Sequence, residues 1–174
     1  MSRPALLLWL LCNLSLSLSA MASDRKHTIT AISAVDGRSV IECWELEAPC
    51  QISAAPGTSG AATTQLGPVG NATHTVLPPR FDGGWHNAPA AQYVVFLSGR
   101  AEISVPGSSQ PVVVDGGQDG LIIAADTADV SSLGHRTVYP GDVPTTAIQL
   151  PFLDGQIPPH KVLYSGPCRK QSNC

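Results

Sequence analysis

The chain has 174 residues, of which 16 are Gly and 15 are Pro, and charged residues make up only 13%. Hydrophobic residues make up 43% and the formal net charge is −3, so the composition excludes a disordered polyelectrolyte. It also argues against nucleic-acid binding, because acidic residues outnumber basic ones 13 to 10 and no run of Lys or Arg offers contacts for phosphates. The frequent Gly and Pro indicate many short strands joined by turns.

Residues 2–22 predict a secretory signal peptide. Arg3 supplies a positive start, the stretch from Ala5 to Cys12 is apolar, and Ala20-Met21-Ala22 is a small-x-small cleavage site. The competing interpretation is a membrane anchor, but the apolar stretch is far shorter than the roughly 20 residues that span a bilayer. We therefore expect a single secreted, extracellular domain over residues 23–174, with no membrane attachment after cleavage.

Alternating apolar residues and turn signals predict at least eight short strands and no helix. The first two form a hairpin around Asp36-Gly37, a dipeptide typical of tight turns. The clearest strand begins at Gln92, and its continuous run of β-forming residues predicts burial on both faces. The predicted strands are Thr28–Val35, Ser39–Leu46, Ala61–Leu66, Thr73–Leu77, Gln92–Leu97, Arg100–Val105, Pro111–Val114, Leu121–Ala125, Arg136–Tyr139 and Thr145–Leu150. This pattern favours a β-sandwich or a closed barrel.

The predicted mature chain keeps four cysteines, Cys43, Cys50, Cys168 and Cys174. In an oxidising compartment they predict two disulfides, for which three pairings are possible. We favour a link between the first strands and the C-terminal tail, because the tail has little apolar content to anchor it. A zinc site is less favoured, since neither pair has the usual ligand spacing. Asn71-Ala72-Thr73 is a glycosylation sequon and predicts an exposed segment.

The segment from Gly83 to Pro89 (GGWHNAP) leads into the buried strand that ends just before Gly99. It resembles the first motif of the cupin superfamily, in which two His and a Glu project into a small barrel and a Gly follows. His86 matches the first His, Gln92 stands at the Glu position, and Gly99 has the expected offset. Ala88 occupies the position of the second His, so the motif is incomplete.

The second cupin motif is matched in the same order. It runs from Gly117-Gln118-Asp119 through the strand Leu121–Ala125 to Gly134-His135-Arg136-Thr137, with an insertion from Asp126 to Leu133. Together with the leader and the paired cysteines, this resembles small secreted fungal members of the superfamily, over residues 64–150. The resemblance implies an all-β fold with a single cupin-type jelly-roll β-barrel. It also implies that a homodimer is feasible, since cupins often dimerise through edge strands.

The resemblance places His86, Gln92 and His135 together inside the barrel. Two imidazoles and an amide oxygen offer ligands for a divalent first-row transition metal, although a facial triad would require a carboxylate. Without a metal, His86 or His135 offers a general base, because an imidazole titrates near neutral pH. Trp85 and Asn87 flank His86 and are, with Gln92, the candidate substrate contacts. The simplest alternative is that both histidines are hydrogen-bonded core residues.

Two classes of function follow from these residues. The first is a secreted enzyme of the isomerase, cyclase or oxidoreductase type, which acts on a small molecule in the barrel pocket. The alternative is a non-catalytic protein with a degenerate cupin site, which binds a ligand or interacts with another protein. Asp126 and Asp129, in the insertion of the second motif, are interpreted as turn caps.

Overall fold

The computed structural model describes residues 26–169. The predicted leader and Cys174 lie outside these residues. The described part of the chain contains thirteen strands and one short 3-10 turn, so the prediction of an all-β fold is confirmed. No helix within residues 26–169 is long and apolar enough to cross a bilayer.

The strands are short and follow one another closely along the chain. They are β1 (Lys26–Val35), β2 (Arg38–Pro49), β3 (Gln51–Ile52), β4 (Ala62–Thr63), β5 (Thr73–Leu77), β6 (Phe81–His86), β7 (Gln92–Ser98), β8 (Arg100–Ser104), β9 (Val112–Asp115), β10 (Leu121–Ala124), β11 (His135–Tyr139), β12 (Thr145–Pro151) and β13 (His160–Ser165). The sequence did not predict β3, β6 or β13, and β4 covers only two residues of the predicted strand Ala61–Leu66.

The strands form two main sheets and a small ribbon. A seven-stranded sheet has the order β13-β2-β1-β10-β7-β12-β5, and a four-stranded sheet has the order β6-β11-β8-β9. Only the β1–β10 pair is parallel among the named strand pairs of residues 26–169. Each sheet ends in an edge strand, so the described hydrogen bonding does not close into a barrel. The jelly-roll topology stays a prediction.

The long hairpin of β1 and β2 begins the fold. Asp36 and Gly37 have positive φ values of 50° and 76°, which are the values that a two-residue hairpin turn requires. The register runs from Val35 opposite Arg38 to Lys26 opposite Pro49. The predicted hairpin is therefore confirmed, and β2 is longer than its sequence pattern indicated.

The seven-stranded sheet is buried on both faces at its centre. Val94 and Phe96 of β7 belong to a core cluster that also contains Ile103 of the four-stranded sheet, so the two sheets pack face to face there. Tyr93 points to the other face, where it joins a second cluster with Phe152. Strand β7 is therefore buried on both sides, as its apolar run predicted.

One disulfide fastens the C-terminal segment to the first hairpin. Cys43 of β2 is bonded to Cys168, 125 residues further along the chain, and the two Cα atoms are 4.7 Å apart. This confirms the predicted link between the first strands and the tail. Cys50 is also disulfide-bonded. Since β13 pairs with β2 immediately before Cys168, the disulfide stabilises the edge strand β13.

Candidate functional site

His86 and His135 lie side by side on neighbouring antiparallel strands. They are register partners in β6 and β11, and their ring centroids are 4.5 Å apart with an interplanar angle of 57°. Gly134 permits this close approach, because its φ is +74° and a Cβ atom there would lie 2.1 Å from the carbonyl oxygen of His86. The sequence thus brings the two imidazoles together by placing a glycine directly before His135.

His86, Gln92 and His135 line one cavity between the two sheets, which we call the histidine cavity. Its volume is about 90 Å³, and Val94 and Phe96 form part of its apolar wall. Gln92 lies on the same face of β7 as these two residues, as strand alternation predicted. A cavity of this size holds a few water molecules or the reacting group of a ligand.

Asp126 contacts the imidazole of His135 and does not itself line the histidine cavity. Its Oδ2 atom is 2.8 Å from His135 Nδ1, and both side chains are almost fully buried. The same oxygen accepts a hydrogen bond of 2.6 Å from Ser39 Oγ, whereas Oδ1 has no partner among residues 26–169. Because a carboxylate can only accept, Nδ1 of His135 donates, and in the neutral imidazole Nε2 carries the lone pair.

The loop that carries Asp126 is itself fixed by hydrogen bonds. Asn87 Nδ2 donates to the carbonyl oxygens of Asp126, at 3.0 Å, and of Ser131, at 2.8 Å. Ser131 Oγ is 2.7 Å from Ser39 Oγ and accepts from the backbone N–H of Gly134 at 3.1 Å. The orientation of His135 therefore depends on a buried polar network. One acceptor of this network, Asp126 Oδ1, has no partner among residues 26–169.

His86 has the opposite environment. Its side chain is exposed, and Nδ1 lies 3.0 Å from the carbonyl oxygen of Gly84, to which it donates. When His86 is neutral, its Nε2 therefore also carries a lone pair. A buried, oriented imidazole and an exposed one in contact with solvent are suited to the two roles of proton acceptor and proton donor.

Two further residues on the same face of β11 line the histidine cavity. Thr137 is buried, and burial raises the pKa of Tyr139 to about 12. The Tyr139 phenol is therefore neutral near physiological pH and acts as a hydrogen-bond donor or acceptor. Sequence reasoning missed both residues, although their spacing from His135 by two and four positions in a predicted strand was a usable signal.

The opposite face of β11 carries an exposed ion pair. Arg136 donates to both carboxylate oxygens of Asp82 in β6 and holds the pKa of that carboxyl at about 2. This bidentate pair joins the two strands that carry His86 and His135.

Two of the predicted substrate contacts do not line the histidine cavity. Trp85 alternates with His86 along β6, is 45% exposed, and is not part of the cavity wall. Asn87 is also outside the wall, and its amide group holds the Asp126 loop instead. Asp126 was interpreted as a turn cap, but it is fully buried against His135. Asp129 does accept a local hydrogen bond from Thr127, as a turn residue would.

The predicted metal site of His86, Gln92 and His135 stays a prediction. Within residues 26–169 no group of three or more His, Cys, Asp or Glu side chains has the geometry to hold a metal ion. His86 and His135 supply two imidazoles, but the only carboxylate beside them, that of Asp126, contacts His135 Nδ1 rather than completing a ligand set. Gln92 adds only a neutral amide, which is a weak ligand.

A second and larger concavity lies on the other side of the seven-stranded sheet. This outer groove has a volume of about 610 Å³ and is lined mainly by apolar residues, among them Leu46, Leu66, Ile157 and Pro158. Its lining contains no histidine. The outer groove has room for a whole ligand, and Glu47 is the one charged side chain in its lining.

A comparison of the chain with protein-family models gives no match, and a search of curated proteins finds no relative. The chemistry of the site therefore follows from its own residues.

Proposed function

We propose that the chain is a secreted small cupin whose histidine cavity catalyses proton transfer on a small molecule, as an isomerase or cyclase does. The observation that carries this proposal is the buried contact between Asp126 and His135 beside the cavity. A carboxylate on Nδ1 fixes the tautomer of an imidazole and stabilises the imidazolium that forms when Nε2 takes a proton.

The cupin assignment rests on the order of the two motifs and on the meeting of their histidines. His86 belongs to the first motif and His135 to the second, and the two rings are in contact. Secretion is supported by the predicted leader and by the disulfide of Cys43 with Cys168, because disulfides persist in oxidising compartments.

The residues of the cavity define a balanced reaction. His135 Nε2 removes a proton from a carbon next to a carbonyl. The electron pair of the broken C–H bond forms a C=C bond to the carbonyl carbon, and the π pair of the C=O bond moves onto the oxygen. The side-chain amide of Gln92, which makes no hydrogen bond with another described residue, donates to that oxygen. Protonated His86 then returns a proton to the same carbon or, where a further C=C bond is conjugated with the enolate, to the far end of that bond, and the electron pair on the oxygen re-forms the C=O bond. The two imidazoles recover their starting states by exchange with water through exposed His86.

The volume of the histidine cavity limits the substrate. About 90 Å³ admits a carbonyl and its neighbouring carbons but not a whole metabolite. The remainder of the substrate would extend past exposed His86 into solvent. We therefore propose substrates that present an enolisable carbonyl at one end.

Hydrogen–deuterium exchange at carbon tests the proposal without knowledge of the substrate. The purified protein is incubated in D2O with acetone, hydroxyacetone or pyruvate, and deuterium incorporation is followed by proton NMR. We expect exchange above the buffer rate and a loss of about 100-fold in H135Q. D126N should also be slower, because an amide cannot stabilise the imidazolium.

H74A is the matched control, because His74 is exposed on β5 and does not line the cavity. This variant should retain the wild-type exchange rate. Exchange by the wild type that is no faster than the buffer blank, or unchanged in H135Q, would contradict the proposal.

The non-catalytic alternative is favoured by the outer groove. Its volume of about 610 Å³ lies within the range of small-molecule pockets, and its walls are mostly apolar. An apolar dye such as Nile red should then bind the protein, and I157D should weaken that binding while H135Q leaves it unchanged. Dye binding combined with the absence of carbon exchange would favour a ligand-binding protein.

A further inference from the structure

The two main sheets end in four strands of four or more residues. These are β13 and β5 in the seven-stranded sheet and β6 and β9 in the four-stranded sheet. An edge strand presents unpaired N–H and C=O groups, which can pair with a strand of another chain. Proteins commonly protect such edges with charged side chains, prolines or covering segments.

Three of these four edges carry a charged residue and one does not. Lys161 lies in β13, Asp82 in β6 and Asp115 in β9. Strand β5, by contrast, has the sequence THTVL, with no Asp, Glu, Lys or Arg, and its Val76 is 58% exposed. One side of β5 pairs with β12 along its whole length, and the other side has no strand partner within residues 26–169. Strand β5 is thus the least protected edge by composition.

The glycosylation sequon lies at the start of this strand. Asn71 is exposed two residues before β5, and Thr73, the third residue of the sequon, is the exposed first residue of β5. The Asn71 amide makes no hydrogen bond with another described residue, so its nitrogen is accessible to a modifying enzyme.

We propose that Asn71 carries an N-linked glycan that shields the β5 edge from pairing with a second copy of the chain. In the modification, Asn71 Nδ2 bonds to the anomeric carbon of an oligosaccharide and loses one proton, and a polyprenyl diphosphate leaves. A glycan is bulky and hydrated, and β5 is only about 17 Å long. A glycan attached two residues before Thr73 therefore competes for the space that a pairing strand would occupy.

This inference rests on the secreted localisation proposed above and not on the chemistry of the histidine cavity. The full chain with its own leader and residues 23–174 behind a host leader are expressed in parallel in a eukaryotic secretory host. Absence of only the first protein from the medium would refute the predicted leader and leave the glycan testable in the second.

Glycosylation is measured by treating the secreted protein with peptide N-glycosidase F. We expect a loss of mass and the conversion of Asn71 to Asp in the corresponding peptide. T73S keeps the sequon and should behave like the wild type, whereas T73A removes the sequon and should show no change in mass. No change of mass in either the wild type or T73S would overturn the proposal.

Shielding is measured by light scattering after gel filtration over a range of protein concentrations. We expect the enzyme-treated protein and T73A to associate beyond the state of the glycosylated wild type. Adding V76K to T73A should reverse this association, because a charge on the edge disfavours strand pairing. The matched control V113K, on the edge strand β9, should not reverse it. Glycan-free protein that stays in the glycosylated state, or equal reversal by both lysines, would refute shielding of β5.

Discussion

The histidine cavity and the outer groove lie on opposite faces of the same sheet and differ in almost every property. The histidine cavity is small, about 90 Å³, and is surrounded by residues of the core shared by the two sheets. The outer groove is several times larger, about 610 Å³, and borders the second core cluster through Leu46 and Leu66. Reactive groups and ligand volume are therefore separated in this protein, and the larger cavity is not the better candidate for catalysis.

The two cavities differ because their walls contain different numbers of hydrogen-bonding groups. The back of the histidine cavity is a buried network around Asp126, in which each hydrogen bond fixes the next group. The wall of the outer groove includes consecutive prolines, Pro158 and Pro159, next to the edge strand β13. Prolines supply a rigid backbone without an N–H donor, so this wall offers shape and apolar contact but little hydrogen bonding.

The largest expected effect is that of removing the carboxylate behind His135. D126A leaves Ser39 and His135 without their buried acceptor, and we expect a loss of about 3–5 kcal/mol in the free energy of unfolding, measured in urea. D129A is the control, since Asp129 is exposed in the same loop and contacts only Thr127. Equal stability of the two variants would show that the network does not support the cavity.

The disulfide between Cys43 and Cys168 should stabilise the side of the seven-stranded sheet that carries the outer groove. Replacing Cys43 and Cys168 together by Ser should lower the free energy of unfolding by about 2–4 kcal/mol, because the unfolded chain gains conformational freedom. Hydrogen exchange followed by mass spectrometry should increase in β13 and at Gln156 and Ile157 in the wall of the outer groove. Exchange in β8, in the other sheet, serves as the internal reference. Increased exchange around His135 instead would show that the disulfide also stabilises the histidine cavity, and would contradict the separation of the two cavities.

The same substitution, Tyr to Phe, can be made beside the outer groove at Tyr93 and at the histidine cavity at Tyr139, and its effects on stability can be compared. Tyr93 OH donates to the carbonyl oxygen of Leu66 at 2.9 Å, beside the outer groove, so Y93F should cost about 1 kcal/mol of stability. Tyr139 OH faces the histidine cavity and has no hydrogen-bond partner among residues 26–169. Y139F should therefore change stability less than Y93F, and a change in carbon exchange rate would assign the hydroxyl to substrate binding. A larger stability loss in Y139F would contradict this contrast.

The smallest expected effect concerns His27, at the start of β1. Its side chain is buried, its Nε2 atom has no hydrogen-bond partner among residues 26–169, and burial lowers its pKa. The unfolded chain therefore binds a proton below about pH 6.5 that the folded chain resists, and stability falls as the pH is lowered through that region. Thermal unfolding between about pH 7 and about pH 5 should show a smaller decrease in H27F than in the wild type. Identical pH profiles would remove His27 as a source of acid sensitivity.

Local patterns were sufficient for much of the fold. The Asp36-Gly37 turn and the apolar run from Gln92 each specify their structure from neighbouring residues, and both predictions are confirmed. Strand β6 was missed because its FDGGWH sequence contains two glycines and lacks alternation. Strand β13 was missed because its residues are mostly exposed, and its position depends on pairing with β2, which is distant in the sequence.

The candidate site was predictable only in part, because some of its contacts join residues that are distant in the sequence. Spacing within two motifs was enough to select His86, Gln92 and His135, which line one cavity. Asp126 looked like a turn residue because its contact with Ser39 joins positions 87 residues apart, and no local pattern reports such a contact. Fully buried carboxylates are rare, so sequence alone gave little reason to expect one.

The separation of Cys43 from Cys168 has a consequence for biosynthesis. In the secretion proposed above, Cys43 would enter the oxidising compartment 125 residues before its partner, whereas Cys50 follows Cys43 by only seven residues. A premature bond between Cys43 and Cys50 would have to be broken by attack of a thiolate through a mixed disulfide before the final pairing can form. Efficient maturation should therefore depend on a disulfide isomerase in the host cell, and without one the bond between Cys43 and Cys168 should form more slowly.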